Sequence, residues 1–245
     1  MKALIFAAGL GTRLRPLTDT IPKALVPVGG KPLLYHVAMK LKTAGFDELV
    51  INIHHFPDSI IKYVNEEKGF GMDVSFSDES DLLRETGGGI RHARPYLEGA
   101  PFLVHNVDIL SDLDIGWFLS QARPDALSSI LVSDRKTQRY LLFDDDMRMV
   151  GWTNIATGEV KTPYPDLDPG RCRKYAFSGV HLISDRIFTI FDDDGWGERF
   201  PIMDFYISEC ASHPFYGILP EHLRMMDVGK AESLQEAESF LTNLK

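Results

Sequence analysis

Residues 2–8 form a short apolar run that ends at Gly9 and passes directly into Gly9-Leu10-Gly11-Thr12-Arg13-Leu14-Arg15-Pro16. A run of this length, closed by glycine, reads as a buried strand feeding a glycine loop. It is too short to cross a membrane, which takes roughly 18 apolar residues. Nor does it read as a secretory leader, because Gly11, Thr12, Arg13 and Arg15 follow at once with no cleavage site behind a full apolar region. Pro16, Pro22, Pro27 and Pro32 punctuate the next segment, so it continues as loop rather than helix.

Downstream, the apolar spacing alternates between two periods. A helix is expected from Pro32, with Leu33, Leu34, Val37, Ala38, Leu41 and Ala44 on one face and Gly45 at its end. Residues 48–53 read as a second buried strand, 59–68 as a helix with Ile60, Ile61 and Val64 inward, 72–76 as a third strand and 102–107 as a fourth. Strands alternating with helices imply right-handed crossovers. The expected fold is therefore α/β: a Rossmann-like three-layer sandwich with a mostly parallel central sheet. Beyond Leu127 the strands crowd together, at 127–132, 140–143 and 149–153 around Asp144, Asp145 and Asp146, which predicts a small hairpin insertion. A long loop over 157–169, a strand over 175–183, a helix over 202–211, a strand over 223–226 and a closing helix over 230–244 complete the reading. With 245 residues and no clear linker, residues 1–245 are expected to form one domain.

Charge narrows the partners. Asp and Glu outnumber Lys and Arg by 35 to 26, a formal charge of -9. Nucleic acid and anionic membranes both require a basic face, so neither is an expected partner. Two cysteines, Cys172 and Cys210, are too few for a disulfide framework or a zinc site, and the expected compartment is a reducing cytoplasm. The acidic total does not exclude a small phosphate ligand held where cations gather locally, and the first loop gathers Arg13, Arg15 and Lys23. Gly9 and Gly11 let backbone N–H groups approach phosphate oxygens. Arg13 offers a two-donor grip and Lys23 a mobile point charge. A cation about 4 Å from a phosphate charge interacts by roughly 4 kcal/mol at an effective dielectric near 20. The loop lacks the Gly-Lys-Ser/Thr ending of a Walker A sequence. A plainly solvated basic loop is the competing reading.

Gly9-Leu10-Gly11-Thr12-Arg13, followed by Pro22-Lys23, resembles the signature of the sugar-1-phosphate nucleotidyltransferases, and the order of elements fits from Lys2 to Asp227. The resemblance implies that an NTP and a sugar 1-phosphate give an NDP-sugar and pyrophosphate. It implies nucleotide contacts at Ala8, Gly9, Gly11, Thr12, Arg13 and Lys23, with Arg13, Lys23 and Asp108 in catalytic roles. Glu85-Thr86-Gly87-Gly88-Gly89 reads as a helix start with Thr86 as cap and a glycine turn that a flat base can approach. Within the resemblance this stretch lines the nucleobase pocket, through Thr86, Gly87 and Gly88, and looks most like the N-acetylmuramate-1-phosphate uridylyltransferase subgroup. Glu79, just upstream, is the candidate acceptor for a base N–H, which suits uracil N3–H and also guanine.

Asp108 and Asp227 follow expected strands, and hard Mg²⁺ takes one or two carboxylates with phosphate oxygens and water. Either aspartate alone is an ordinary turn residue. The resemblance implies that the pair holds the catalytic metal, Mg²⁺. Val107 stands where many members carry glycine. Asn106, Ser178 and Gly179 are expected beside the sugar. The lysine that in many relatives reaches the sugar phosphate has no counterpart around Gly151-Trp152-Thr153-Asn154-Ile155, and Arg173 or Lys174 are the candidate substitutes. Competing readings are a guanylyltransferase for mannose or heptose 1-phosphate, a cytidylyltransferase, and a non-catalytic regulatory subunit. His54 and His55, adjacent on an expected strand, would face opposite ways and share no metal.

Overall fold

The computed structural model describes residues 1–244. Its first half carries strands β1 (Lys2–Phe6), β2 (Pro27–Val28), β3 (Lys31–Pro32), β4 (Glu48–Ile53), β5 (Asp73–Asp78), β6 (Phe102–Asn106) and β7 (Ile109–Ser111). Helices α1 (Leu33–Thr43), α2 (Pro57–Glu66), α3 (Glu85–His92) and the short α4 (Arg94–Leu97) lie between them. The second half holds α5 (Ile115–Ser120), β8 (Ser128–Ser133), β9 (Arg139–Phe143), β10 (Met149–Asn154), β11 (Glu159–Lys161) and β12 (Arg173–Ile183). It closes with α6 (Ile187–Asp193), α7 (Ile202–Glu209), β13 (Phe215–Ile218), β14 (Met225–Asp227) and α8 (Ala231–Leu244).

β1 lies at the centre, parallel to β4 on one side and to β6 on the other, with β5 parallel beyond β4. Alternation along these strands sorts their side chains between two layers. Ala3, Ile5, Leu49, Ile51 and Leu103 join α1, α2 and α8 in one buried cluster. Leu4, Val50, Phe102 and Val104 join α3, α6 and α7 in the other. Each fully buried Leu, Ile or Val contributes about 1.5–3 kcal/mol, so both layers depend on the strand register. α1 buries Leu33, Leu34, Val37, Ala38 and Leu41, while Ala44 caps its end half-buried and Gly45 leaves at φ 89°. α2 starts two residues ahead of expectation because Pro57 occupies its first turn. Among the described residues no helix is long and apolar enough to cross a membrane.

The sheet is parallel at its core and mixed beyond it. β12 runs antiparallel to β6 over Val180–Ile183, to β8 alongside, and to β9 over Arg173–Tyr175. Its register shifts between Phe177 and His181, where Gly179 takes φ 74°. That bulge lets one strand serve two sheet directions. The expected hairpin insertion is present as β9–β10, extended by β11 inside what the sequence reads as a loop. All three residues of β11 are exposed, so no alternation of buried side chains announced it.

Candidate active site

β1 delivers Ala7 and Ala8 to the carboxyl edge of the sheet, where a single amide holds both. Asn52 Oδ1 accepts from Ala7 N at 2.6 Å and from Ala8 N at 3.2 Å. Its Nδ2 donates to Glu79 Oε1 at 2.9 Å, and Glu79 Oε2 accepts from Arg84 N at 3.0 Å. Asn52 and Glu79 are both buried. Sequence reasoning missed Asn52. Its signal was there: one amide in the otherwise apolar Leu49-Val50-Ile51-Asn52-Ile53, at the ligand-bearing end of a central strand.

The glycine loop folds as short helical turns around Gly11. With φ 63° and the Thr18 methyl 2.8 Å from where a Cβ would stand, only glycine suits that position. Thr18 Oγ1 donates to Gly11 O at 2.8 Å, and buried Leu14 anchors the loop. Thr12 and Arg13 stand exposed on it. Lys23, on the last of these turns, is ion-paired with Asp108 in the turn after β6.

Asp227 ends β14, whose antiparallel partner is β7, and Val228 N donates to Asp108 O at 2.8 Å. A two-stranded ribbon thus joins carboxylates far apart in sequence. Desolvation in the cleft and the nearby Asp108 charge push Asp227 above the usual carboxylate range, against the pull of Lys23, Arg13 and Arg135. A Cβ on Gly229 would lie 2.6 Å from Asp227 Oδ1 and 2.8 Å from Arg13 Nη2, so these two charged groups meet over a bare α-carbon. Arg13, Lys23, Asp108 and Asp227 are therefore brought into one neighbourhood.

Beside them opens a cleft of about 380 Å³, lined by Ala8, Gly9, Lys23, Asn106 and Asp108 together with Glu79, Leu83 and Thr86. The glycines after Thr86 are placed differently from expectation. Gly87 N and Gly88 N both donate to Phe200 O, at 2.8 and 3.2 Å. A Cβ on Gly87 would meet the Phe200 ring at 2.2 Å, and one on Gly88 would meet Glu198 O at 2.1 Å. The bare backbone that sequence reasoning reserved for a flat base is covered by the chain's own segment 198–200. Thr86 is likewise no cap: it lies within α3 behind Arg84, and its Oγ1 accepts from Ile202 N at 2.9 Å.

Of the expected sugar neighbours, Asn106 lines the cleft and lies against Gly179, whose Cβ would be 3.2 Å from Asn106 Nδ2. Ser178 is buried, its hydroxyl 3.0 Å from Ser133 Oγ. Arg173 and Lys174 are exposed on β12 beside β9, with Arg173 3.5 Å from Asp145, and neither lines the cleft. His54 and His55 follow β4 instead of lying on it. Their rings meet Glu79 O at 2.7 Å and Thr18 O at 3.4 Å, so both brace loops. A separate trio, Asp194, Glu209 and His213, brings ligand atoms within 4.8 Å of one another and shares no residue with the cleft.

The family described as nucleotidyl transferase matches residues 2–143, a span that carries β1, the glycine loop, Glu79, α3 and Asp108. The chain belongs to this enzyme family. An N-acetylmuramate alpha-1-phosphate uridylyltransferase of Caulobacter vibrioides is 32% identical over 245 residues, covering 98% of this chain and 96% of that protein. Another protein of that description, from Neisseria meningitidis serogroup B, is 47% identical over 114 residues. That match covers 46% of this chain and about half, 49%, of the relative. Among solved structures, a putative glucose-1-phosphate thymidylyltransferase of Bacillus anthracis shares the fold with a TM-score of 0.81. It is 19% identical, over 98% of this chain and 94% of that one.

Proposed function

We propose that this protein is a sugar-1-phosphate nucleotidyltransferase that moves a uridylyl group from UTP to N-acetylmuramate 1-phosphate and releases pyrophosphate. The observation that carries the reaction class is the meeting of Arg13, Lys23, Asp108 and Asp227 beside a cleft floored by the β1 terminus. Support for the sugar and base comes from the full-length likeness to the Caulobacter enzyme.

In the reaction, a sugar phosphate oxygen forms a bond to the α-phosphorus as the bridging α–β P–O bond breaks, and pyrophosphate carries away the charge. No covalent enzyme intermediate is needed, so the protein's work is positioning and charge stabilisation. Arg13 and Lys23 neutralise triphosphate oxygens. The β1 terminus, fixed by Asn52, presents backbone N–H groups of the glycine loop. Glu79 already accepts two hydrogen bonds, and a carboxylate has about four lone-pair sites, so it can also accept a base N–H such as uracil N3–H. The donor set also fits a hard divalent cation. Desolvation, and after it the charge of Asp108, hold Asp227 above its usual range, and a dication between the two carboxylates would relieve both. Bound Mg²⁺ would be held by these two carboxylates and would supply positive charge beside phosphate oxygens. We place the reaction in the cytoplasm, in keeping with the two free thiols, Cys172 and Cys210.

The test is a matrix of NTPs against sugar 1-phosphates, with products identified by mass. UTP with N-acetylmuramate 1-phosphate is expected to give the highest kcat/KM. Preference for GTP with mannose 1-phosphate would overturn the base and sugar assignments. In the same assay Asp108→Asn should stay folded by circular dichroism and lose at least about a hundredfold in turnover. Near-normal turnover in that variant would remove Asp108 from the centre.

A further inference from the structure

A second cavity, of about 520 Å³, lies against one face of the β9–β10–β11 hairpin and α7. Its floor is apolar and aromatic, with Leu141, Trp152, Phe177 and Met203, while Arg135, Arg139 and Lys161 contribute cations. Register explains the grouping. Trp152 sits opposite Leu141 on one side and Lys161 on the other, and Asn154 sits likewise between Arg139 and Glu159. Residues two apart on a strand share a face, so both rows look into the same space.

Among the described residues, Lys161 is the one of these three cations with an acidic partner. Lys161 Nζ lies 3.8 Å from Glu159 and 5.5 Å from the Trp152 ring centroid. Arg135 donates to Phe177 O at 3.1 Å. Among the described residues, neither Arg135 nor Arg139 forms an ion pair with an acidic side chain. Asp204, exposed at the start of α7, is the other acid lining the cavity and suits sugar hydroxyls better than an anion. An aromatic floor with two unpaired guanidinium groups matches a carbohydrate that carries acidic groups.

The cavity also adjoins the reaction centre. Ser133, two residues before Arg135, lies 3.8 Å from Met225 Sδ on β14, the strand that ends at Asp227. Phe177, on the cavity floor, is two residues from Gly179, which packs on Asn106 of the first cleft. A ligand with its phosphate near Asp227 can thus extend along β12 into the second space.

We propose that this cavity receives a doubly acidic sugar, with the ring over Trp152, the anomeric phosphate at Arg135 and a carboxylate at Arg139. Arg135 then takes the place of the lysine absent from β10, where the sequence offered Arg173 or Lys174. The proposal rests on the reaction described above and adds to it two residues that read the substrate.

The experiment compares N-acetylmuramate 1-phosphate with N-acetylglucosamine 1-phosphate, which lacks the lactyl carboxylate, by measuring kcat/KM for each with wild type, Arg139→Gln and Arg135→Gln. Wild type should favour the carboxylate-bearing sugar. A charge-assisted contact is worth about 1.5–3 kcal/mol, so Arg139→Gln should reduce that preference by at least about tenfold. Arg135→Gln should impair both sugars and leave the ratio standing. A preference untouched by Arg139→Gln, or wild type favouring the sugar without the carboxylate, would overturn the proposal while leaving nucleotidyl transfer intact. Absence of turnover with every NTP and sugar phosphate would instead refute the reaction. Calorimetric binding of the same two sugars would then judge the cavity: binding that needs the carboxylate and Arg139 supports it, and equal binding refutes it.

Discussion

Asn52 is the residue on which the nucleotide cleft should depend most, and the cost of removing it can be worked from its contacts. Asn52→Ala deletes the acceptor for Ala7 N and Ala8 N and the donor to Glu79 Oε1. The two neutral bonds are worth about 1 kcal/mol each, and the bond to the carboxylate about 1.5–3. All three groups are buried, yet Asn52 borders the cleft, so entering water recovers part of the loss. A net destabilisation of about 3 kcal/mol is expected, or a fall in Tm of roughly 6–12 °C for a chain of this size. KM for the NTP should rise as well, because Ala8 and Glu79 lose their common brace. Asn52→Asp separates the parts of this argument. It keeps an acceptor for the two N–H groups but sets a second carboxylate where the amide lay 2.9 Å from Glu79. That variant should be destabilised at pH 7.5 and recover on acidification, as one proton comes to be shared. Urea unfolding of both variants at pH 7.5 and 5.5 provides the check. An Asn52→Ala loss under about 1 kcal/mol, or an Asn52→Asp protein as stable as wild type at pH 7.5, would refute the clamp.

Gly88→Ala should lose at least about 2 kcal/mol of stability with or without nucleotide, since its Cβ would fall 2.1 Å from the Glu198 carbonyl. A stable Gly88→Ala protein with only a raised nucleotide KM would return that glycine to the ligand. Gly229→Ala should cost under about 1 kcal/mol, because the atoms it meets end mobile side chains, yet lower turnover by about tenfold or more by displacing Arg13 and Asp227; unchanged kinetics would separate those residues from the chemistry. Burial pushes the His181 pKa down to about 3 and the His105 pKa down to about 4. Unfolded histidine takes up a proton near pH 6.5 while the folded ones stay neutral, so stability is full above that pH and falls as the pH drops below it. The loss should reach about 2 kcal/mol per histidine at pH 5, and His181→Gln should flatten the measured slope between pH 7 and 5; an unchanged slope would refute the assignment.

Much of the fold was legible because local rules decide it. The run 2–8 had to be a buried strand, and period-two alternation sends Ile5 to one layer and Leu4 to the other. The spacing from Leu33 to Leu41 left α1 no other face to bury. What resisted reading was decided by distant chain. Glu85-Thr86-Gly87-Gly88-Gly89 looks like an open helix start until segment 198–200, more than a hundred residues on, fills the space above Gly87 and Gly88. Asp108 and Asp227 each resemble a turn residue, and only the pairing of β7 with β14 makes them neighbours. Arg139 and Lys161 show no pattern in the sequence, because strand register, not spacing, brings them beside Asn154 and Trp152, and Arg135 joins them from the loop between β8 and β9.

The same distinction settles what the acidic total means. Much of the basic charge is matched locally: Arg94 bonds both Glu98 and Asp192, Arg84 bonds Asp81, and Arg224 bonds Asp112. Such local pairs leave little field at a distance. Arg13, Arg135 and Arg139 form no ion pair among the described residues. Arg13 borders the Asp227 carboxylate, and the other two line the second cavity. A net charge of -9 is therefore compatible with local sites for small phosphates, because attraction at contact distance depends on the nearest unpaired cations and not on the sum.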